Sequence, residues 1–283
     1  MIDRILRSIE YIPAFPAIIQ KVTQLLNNDD YSVAEVAGVI KYDQSITANI
    51  LRMSNSAYFG SRYKIKTIHD AVTYLGQQNL IRAIQTASST RFFMATPRGY
   101  VSQAAELWQH SVAVALMSQI LSRKIFGRED SILYTASLLH DVGKIILGEY
   151  VHKSFQLIED LVTKGGYSFL EAEEKVIGIN HAELGGKIAV HWNFPPEIKN
   201  PIAFHHNPNL LVGETQTSSW LVYFADQACM SMDIGGGVDG PAYRGLEEVI
   251  KMFSLKTSDL ESAMILLAED LERAKELTDI VQS

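Results

Sequence analysis

Apolar residues recur with helical spacing along almost the whole chain. Ile18, Ile19, Val22, Leu25 and Leu26 fall at intervals that put side chains on one helix face. Pro16 stands where the first turn of that helix begins, a position that has no use for an N–H. Ser32, with Glu35 three places on, predicts a capping box and a short helix to Ile40. Asp43 caps a helix carrying Ile46, Ile50 and Leu51, and Thr67 with Asp70 opens another that stops at Gly76. Residues 79–93 form the next helix, closed by Pro97-Arg98-Gly99.

The second half reads the same way. A long amphipathic helix is predicted over 102–126, with His110 near its middle, and another over 129–147, holding His140 and Asp141. Helices follow over 152–164 and 168–177. Asn180, with Glu183, caps one through His191. A short helix over 197–206 restarts after Pro195-Pro196, and an apolar one spans 218–232. Gly235-Gly236-Gly237 punctuates the chain before a last helix over 258–281, opened by Ser258 and Glu261. Strand-like alternation between turn pairs is almost absent. The expected class is all-α, a multi-helix bundle with an N-terminal helical lobe over 1–98 and a second lobe with a C-terminal helical extension over 99–283. No period recurs, which argues against a helical-repeat scaffold.

Composition narrows the function. A formal net charge of -7 argues against broad nucleic-acid binding, which needs a basic surface, though it leaves room for a local phosphate site. Cys229 is the single cysteine, so the chain has no internal disulfide and no cysteine-based zinc site. That fits a reducing, cytoplasmic setting. Met1-Ile2-Asp3-Arg4 opens no signal peptide, and no apolar run is long enough for a bilayer, so no membrane partner is expected.

The chemistry centres on Leu138-Leu139-His140-Asp141-Val142-Gly143-Lys144. Apolar flanks predict a buried His-Asp pair, and a bare buried charge costs several kcal/mol, so a partner or a metal is required. His110, His181, His205, His206 and Asp226 are the candidates. Neighbours on a helix point about 100° apart, so His140 and Asp141 share an ion only off a helix end or edge. His110, His140, Asp141 and Asp226 suit a hard-to-borderline cation such as iron, manganese or zinc. Asp141 has a second oxygen that can bridge to another ion, for which His181, His205 and His206 remain. Such a pair of ions activates water toward a phosphate ester, with Asp141 in the catalytic centre. The Lys144 ammonium can then neutralise the substrate phosphate.

Bland readings stand beside these. A histidine on an apolar helix is more often a satisfied residue than a ligand, and His69, His152 and His191 are read so. His205-His206 also suits a helix end, where cations favour the dipole. Asp226, within Tyr223-Phe224-Ala225-Asp226-Gln227, is expensive unless paired. The loop Asn55-Ser56-Ala57-Tyr58-Phe59-Gly60, among Arg52, Arg62, Lys64 and Lys66, is either a recognition loop or a plain helix corner. On residues alone, the metal site and a metal-free cluster both stay open.

The order His110, His140-Asp141, His181, His205-His206, Asp226 resembles the HD metal-dependent phosphohydrolase superfamily. Ile12-Pro13-Ala14-Phe15-Pro16, Asp43-Gln44-Ser45-Ile46-Thr47-Ala48, residues 51–60 and the stretch from Thr67 to Gly76 are similar to the HDOD domain. The likeness covers about residues 5–210. It implies an HD-type helical bundle in a bacterial regulatory module of the kind linked to signalling, with a protein signalling partner. Many such domains have lost the His-Asp pair, whereas this chain keeps the full series. The resemblance therefore implies two divalent metal ions, iron or manganese foremost, and a phosphate-containing small molecule as substrate. It also gives the 55–60 loop a family-specific role, in packing the lobes or meeting a partner. His205-His206 is followed by Asn207-Pro208-Asn209, with no Gly-Tyr-Pro motif, so cleavage of cyclic di-GMP is not expected. The alternatives are a non-catalytic signalling module with a structural or vestigial metal, and a di-iron oxygenase, a chemistry also found on HD-type folds.

Overall fold

The structure is a computed structural model and describes residues 1–12, 21–22, 25–26, 28, 30–41, 44–56, 59, 64–93, 100, 104–234 and 250–282. The expected helix start at Pro16, the cap at Asp43, the turn at 97–99 and the glycines at 235–237 lie outside them. All regular elements among the described residues are helical. The chain divides into two compact units, one of Met1–Ile12 with Phe92–Leu267, the other of Pro13–Arg91 with Ala268–Ser283.

The chain opens with α1 (Ile2–Ser8) and a single 3-10 turn, Ile9–Tyr11, which belong to the first unit. The second unit holds α2 (Val33–Ile40), α3 (Gln44–Ser54) and, up to Arg91, α4 (Ile68–Phe93). Leu26, Ile40, Ile50, Leu80, Ile81 and Ile84 are fully buried there. Each such side chain contributes about 1.5–3 kcal/mol of burial. Thr67 caps α4 as expected, its hydroxyl accepting from the Asp70 amide at 3.1 Å. Ser32 precedes α2 but makes no side-chain cap bond, so the expected capping box there does not form. Gly76 breaks the helical dihedrals at φ 66°, ψ 177°, where the sequence placed a stop. The chain kinks and continues rather than ending. Asn55 closes a loop: its Nδ2 donates to the Ile65 carbonyl at 2.8 Å and its Oδ1 accepts from the Ile65 amide at 2.7 Å. Residues 57, 58 and 60 of the 55–60 loop lie outside the described residues, so neither reading of that loop is decided.

The first unit continues with α5 (Ala104–Phe126), α6 (Ser131–Leu139), α7 (Lys144–Gly165) and α8 (Phe169–Ile177). It goes on with α9 (His181–His191), α10 (Pro196–Phe204) and α11 (Glu214–Ser231). The last helix, α12 (Thr257–Gln282), begins in this unit. Its start is capped by Asp259, which accepts from the Lys256 amide at 2.8 Å. The expected amphipathic helix at 102–126 differs in character. Every residue from His110 to Ser122 is buried, so the middle of α5 is wrapped on all sides, while Gln109 before it and Arg123 and Lys124 after it are exposed. It packs on α6 and α11, and α10 in turn packs on α6, α9 and α11. Trp108 and Met117 on α5 and Phe224 on α11 are among the largest fully buried side chains.

Two further corrections bear on the site. The expected helix over 129–147 is two helices: α6 ends at Leu139, and α7 starts afresh at Lys144, absorbing the helix expected at 152–164. The turn between them brings Gly143 against α9. A Cβ on Gly143 would lie 2.0 Å from the His181 carbonyl oxygen, so only glycine permits this approach. Likewise, a Cβ on Gly186 would meet the Ala203 Cβ at 2.6 Å, which sets the spacing of α9 and α10.

Candidate metal centre

The site is built largely from helix ends. His140 closes α6, and its Nδ1 donates to the Ser137 carbonyl at 2.7 Å. His205 closes α10, and its Nδ1 donates to the Ile202 carbonyl at 2.8 Å. Each ring is oriented by a carbonyl in the last turn of its own helix. His110, on α5, donates from Nδ1 to the Ile234 carbonyl at 3.0 Å. A backbone carbonyl only accepts, so all three rings carry their proton on Nδ1 and turn Nε2 inward.

The inward atoms converge. His110 Nε2 lies 3.0 Å from Asp226 Oδ1 and 3.8 Å from Asp141 Oδ2. His140 Nε2 lies 3.3 Å from Asp141 Oδ2 and 3.9 Å from Asp226 Oδ1. The other oxygen, Asp141 Oδ1, faces His181 Nε2 at 3.5 Å and His205 Nε2 at 3.8 Å. His181 Nε2 and His206 Nε2 stand 2.8 Å apart. Two sets of ligand-type atoms result, His110-His140-Asp141 and His181-His205-His206, each within 4.8 Å. Lys144 places Nζ 2.8 Å from Asp141 Oδ2, with the Tyr100 ring 5.4 Å away. The structure thus gathers His110, His140, Asp141, Lys144, His181, His205, His206 and Asp226 at one point. His69, His152 and His191, read as ordinary histidines, are exposed.

Burial makes these charges interact strongly. His140, Asp141, His181, His205 and Asp226 are no more than 2% exposed; His206 is half-buried. Burial pushes the Asp141 carboxyl up, but His140 and Lys144 beside it hold it well below the usual carboxylate range. Burial likewise opposes ionisation of Asp226, and the bond from His110 brings it below its ordinary value. His110 is pushed down by burial and raised on balance by Asp226. His205 is lowered to about 3, by burial first and then by His140 and His181. His206 is lowered in the same direction, by burial and then by His205.

These residues fit a divalent metal. At the centre, His140 Nε2, His205 Nε2 and Asp141 Oδ1 are buried with no hydrogen-bond partner among the described residues. Such orphaned atoms are rare unless an ion or water completes them. Two donors sharing an ion at about 2.0–2.1 Å stand about 3 Å apart when they meet it near a right angle. The His181–His206 and His110–Asp226 separations match that figure. Imidazole nitrogens with carboxylate oxygens suit borderline divalent cations.

Sequence reasoning missed Glu173 and Tyr100. Glu173 is fully buried on α8, beside Phe169, Ala172 and Ile177 on the same face. Its Oε2 accepts from His181 Nδ1 at 2.7 Å and from the His181 amide at 3.0 Å. Its Oε1 accepts from the Tyr100 hydroxyl. The signal was available: Glu173 follows Phe169 and precedes Ile177 by four, so a carboxylate occupies the apolar register of an amphipathic helix.

The chain is a helical protein with a histidine-aspartate cluster able to hold divalent metal. It belongs to the HDOD family, whose domain matches residues 12–208. A solved HDOD domain protein of unknown function from Geobacter sulfurreducens is similar, with 25% identity and a TM-score of 0.74. The match covers 99% of this chain and 97% of that one. A candidate phosphohydrolase from Shewanella amazonensis SB2B shares the fold at a TM-score of 0.72 and 24% identity, over 98% and 97% of the two chains. A Treponema pallidum (strain Nichols) protein of uncharacterised function is 23% identical over 201 residues, 70% of this chain. The match spans 38% of that relative's length.

Proposed function

We propose that this chain is a bacterial regulatory protein whose HD-type centre holds two divalent metals and hydrolyses a phosphoester of nucleotide-like kind. One observation carries the reading: the two oxygens of Asp141 face two separate sets of ligand-type atoms. His110, His140, Asp141 and Asp226 would hold one ion, and Asp141, His181, His205 and His206 the other, with iron or manganese favoured. Bound there, the ions supply Lewis acidity toward a phosphoryl group and lower the pKa of water. Asp141 orients both sets, and Lys144 brings a positive charge to the same point for a substrate phosphate. His206, the half-buried member, marks the side from which substrate approaches. The test is turnover of bis-p-nitrophenyl phosphate by manganese- or iron-loaded protein. Activity that disappears in Asp141→Ala supports the reading, and its absence from fully loaded wild-type protein overturns hydrolysis.

The same burial favours a second reading, a structural metal in a protein-protein signalling module. Seven of the eight clustered residues are at most 4% exposed. Loaded protein that is stabilised by metal yet turns over no phosphodiester supports it. Among the described residues, no helix is long and apolar enough to cross a membrane.

A further inference from the structure

His181 differs from three other rings of the cluster in what stands behind it. His110, His140 and His205 are each backed by a neutral backbone carbonyl. His181 is backed by the carboxylate of Glu173, at 2.7 Å from Nδ1. A carboxylate makes an imidazole a stronger electron donor than a carbonyl does, and it fixes the tautomer and the ring plane. We infer that Glu173, braced by Tyr100, is a positioning residue that aims His181 Nε2 at the ion shared with His205 and His206.

The placement of Glu173 is costly and therefore specific. A carboxylate taken wholly out of water is tolerated only when its oxygens are occupied. Both are. Oε2 takes two bonds from His181, one of them from the amide at the first position of α9, which has no intrahelical acceptor. A negative charge there also suits the positive end of the helix dipole. Oε1 takes the Tyr100 hydroxyl, and the Tyr100 ring lies edge-on to His181, 6.1 Å between centroids at 77°. Glu173 therefore ties the start of α9, the His181 ring and Tyr100 to one face of α8. Burial pushes His181 down, and Glu173 raises it on balance.

The inference rests on the two-metal reading for its purpose, but the ring orientation can be tested without metal. The first measurement is the His181 tautomer in metal-free protein, by long-range nitrogen-proton NMR at a pH where the ring is neutral. Wild-type protein should show the proton on Nδ1, and Glu173→Ala should show a mixture. The second is metal stoichiometry and affinity by competition against a chelator. Glu173→Gln keeps the shape and loses the charge, and should weaken the ion held by His181, His205 and His206 about 10–100-fold, leaving the other ion's affinity near the wild-type value. Tyr100→Phe keeps the ring and removes only the hydroxyl, so its effect should be smaller in the same direction. If Glu173→Ala does not fold, Glu173→Gln and Tyr100→Phe carry the test. Variants with wild-type tautomer and wild-type affinity for both ions overturn the inference. A wild-type protein that binds no metal, yet shows the Nδ1 proton lost in the variant, overturns the metal reading and leaves the positioning role standing.

Discussion

His181 and His206 present their Nε2 atoms to each other at 2.8 Å, although 25 positions separate them in the chain. His206 belongs to one set of ligand-type atoms, whereas Asp141 faces both. His206→Ala should therefore lower metal content from two ions per chain to one. Asp141→Ala should abolish binding of both. Elemental analysis after gel filtration reads the two stoichiometries directly, and equal loss in both variants would count against a bridging Asp141.

Lys144 and Asp141 form a buried pair at 2.8 Å. Removing one member of such a pair leaves an uncompensated charge and costs about 3–5 kcal/mol. Lys144→Met should lose that much stability in metal-free protein, measured by urea unfolding. A divalent cation supplies the missing positive charge, so added manganese should stabilise the variant more than the wild type. Equal stabilisation of both proteins would contradict this.

Metal uptake should fall in acid. His110 and His181 are both raised above the ordinary histidine value. A group with a raised pKa holds its proton at higher pH, and a protonated Nε2 cannot ligate. As pH is lowered, apparent affinity should thus begin to fall before pH ~6.5 is reached, by about tenfold per pH unit for each proton displaced. His205, lowered to about 3, stays neutral through this range and adds nothing to the slope. Calorimetric titration in buffers of different ionisation enthalpy counts the released protons. Affinity that is flat with pH would show that neither ring is displaced of a proton.

Two glycines hold the helices of the site together. Gly143→Ala puts a Cβ 2.0 Å from the His181 carbonyl oxygen and 2.8 Å from the Gly185 amide nitrogen. Backbone stands on both sides, so the cost should exceed the ~1–3 kcal/mol usual for overpacking, and metal binding should fall with it. Gly186→Ala collides instead with the Ala203 side chain at 2.6 Å. Its destabilisation should be largely relieved by Ala203→Gly, while Gly143→Ala should not respond to that second change. Thermal unfolding of the four variants distinguishes the two cases.

Much of the helical order was legible from the chain. Thr67 and Asn180 cap helices where the spacing placed them, because a cap is a bond between near neighbours. The break at 140–143 was not legible. Apolar residues run through it without losing helical period, and the turn exists because Gly143 meets α9. The character of α5 was misread for a similar reason. Its serines, Gln119 and His110 look like a polar face, but Ser118 and Ser122 satisfy their hydroxyls on backbone carbonyls inside the protein.

By itself, the sequence determined an all-helical chain of the HDOD family and named the histidines and aspartates able to carry chemistry. Those properties follow from local spacing and from residue type. Tertiary structure alone decided that Asp141 turns one oxygen to His140 and the other to His181, that Lys144 is bound to Asp141, and that Glu173 stands behind His181. Such relations depend on how α5, α6, α8, α9, α10 and α11 cross in space, and no periodicity within one helix records the angle at which it meets another.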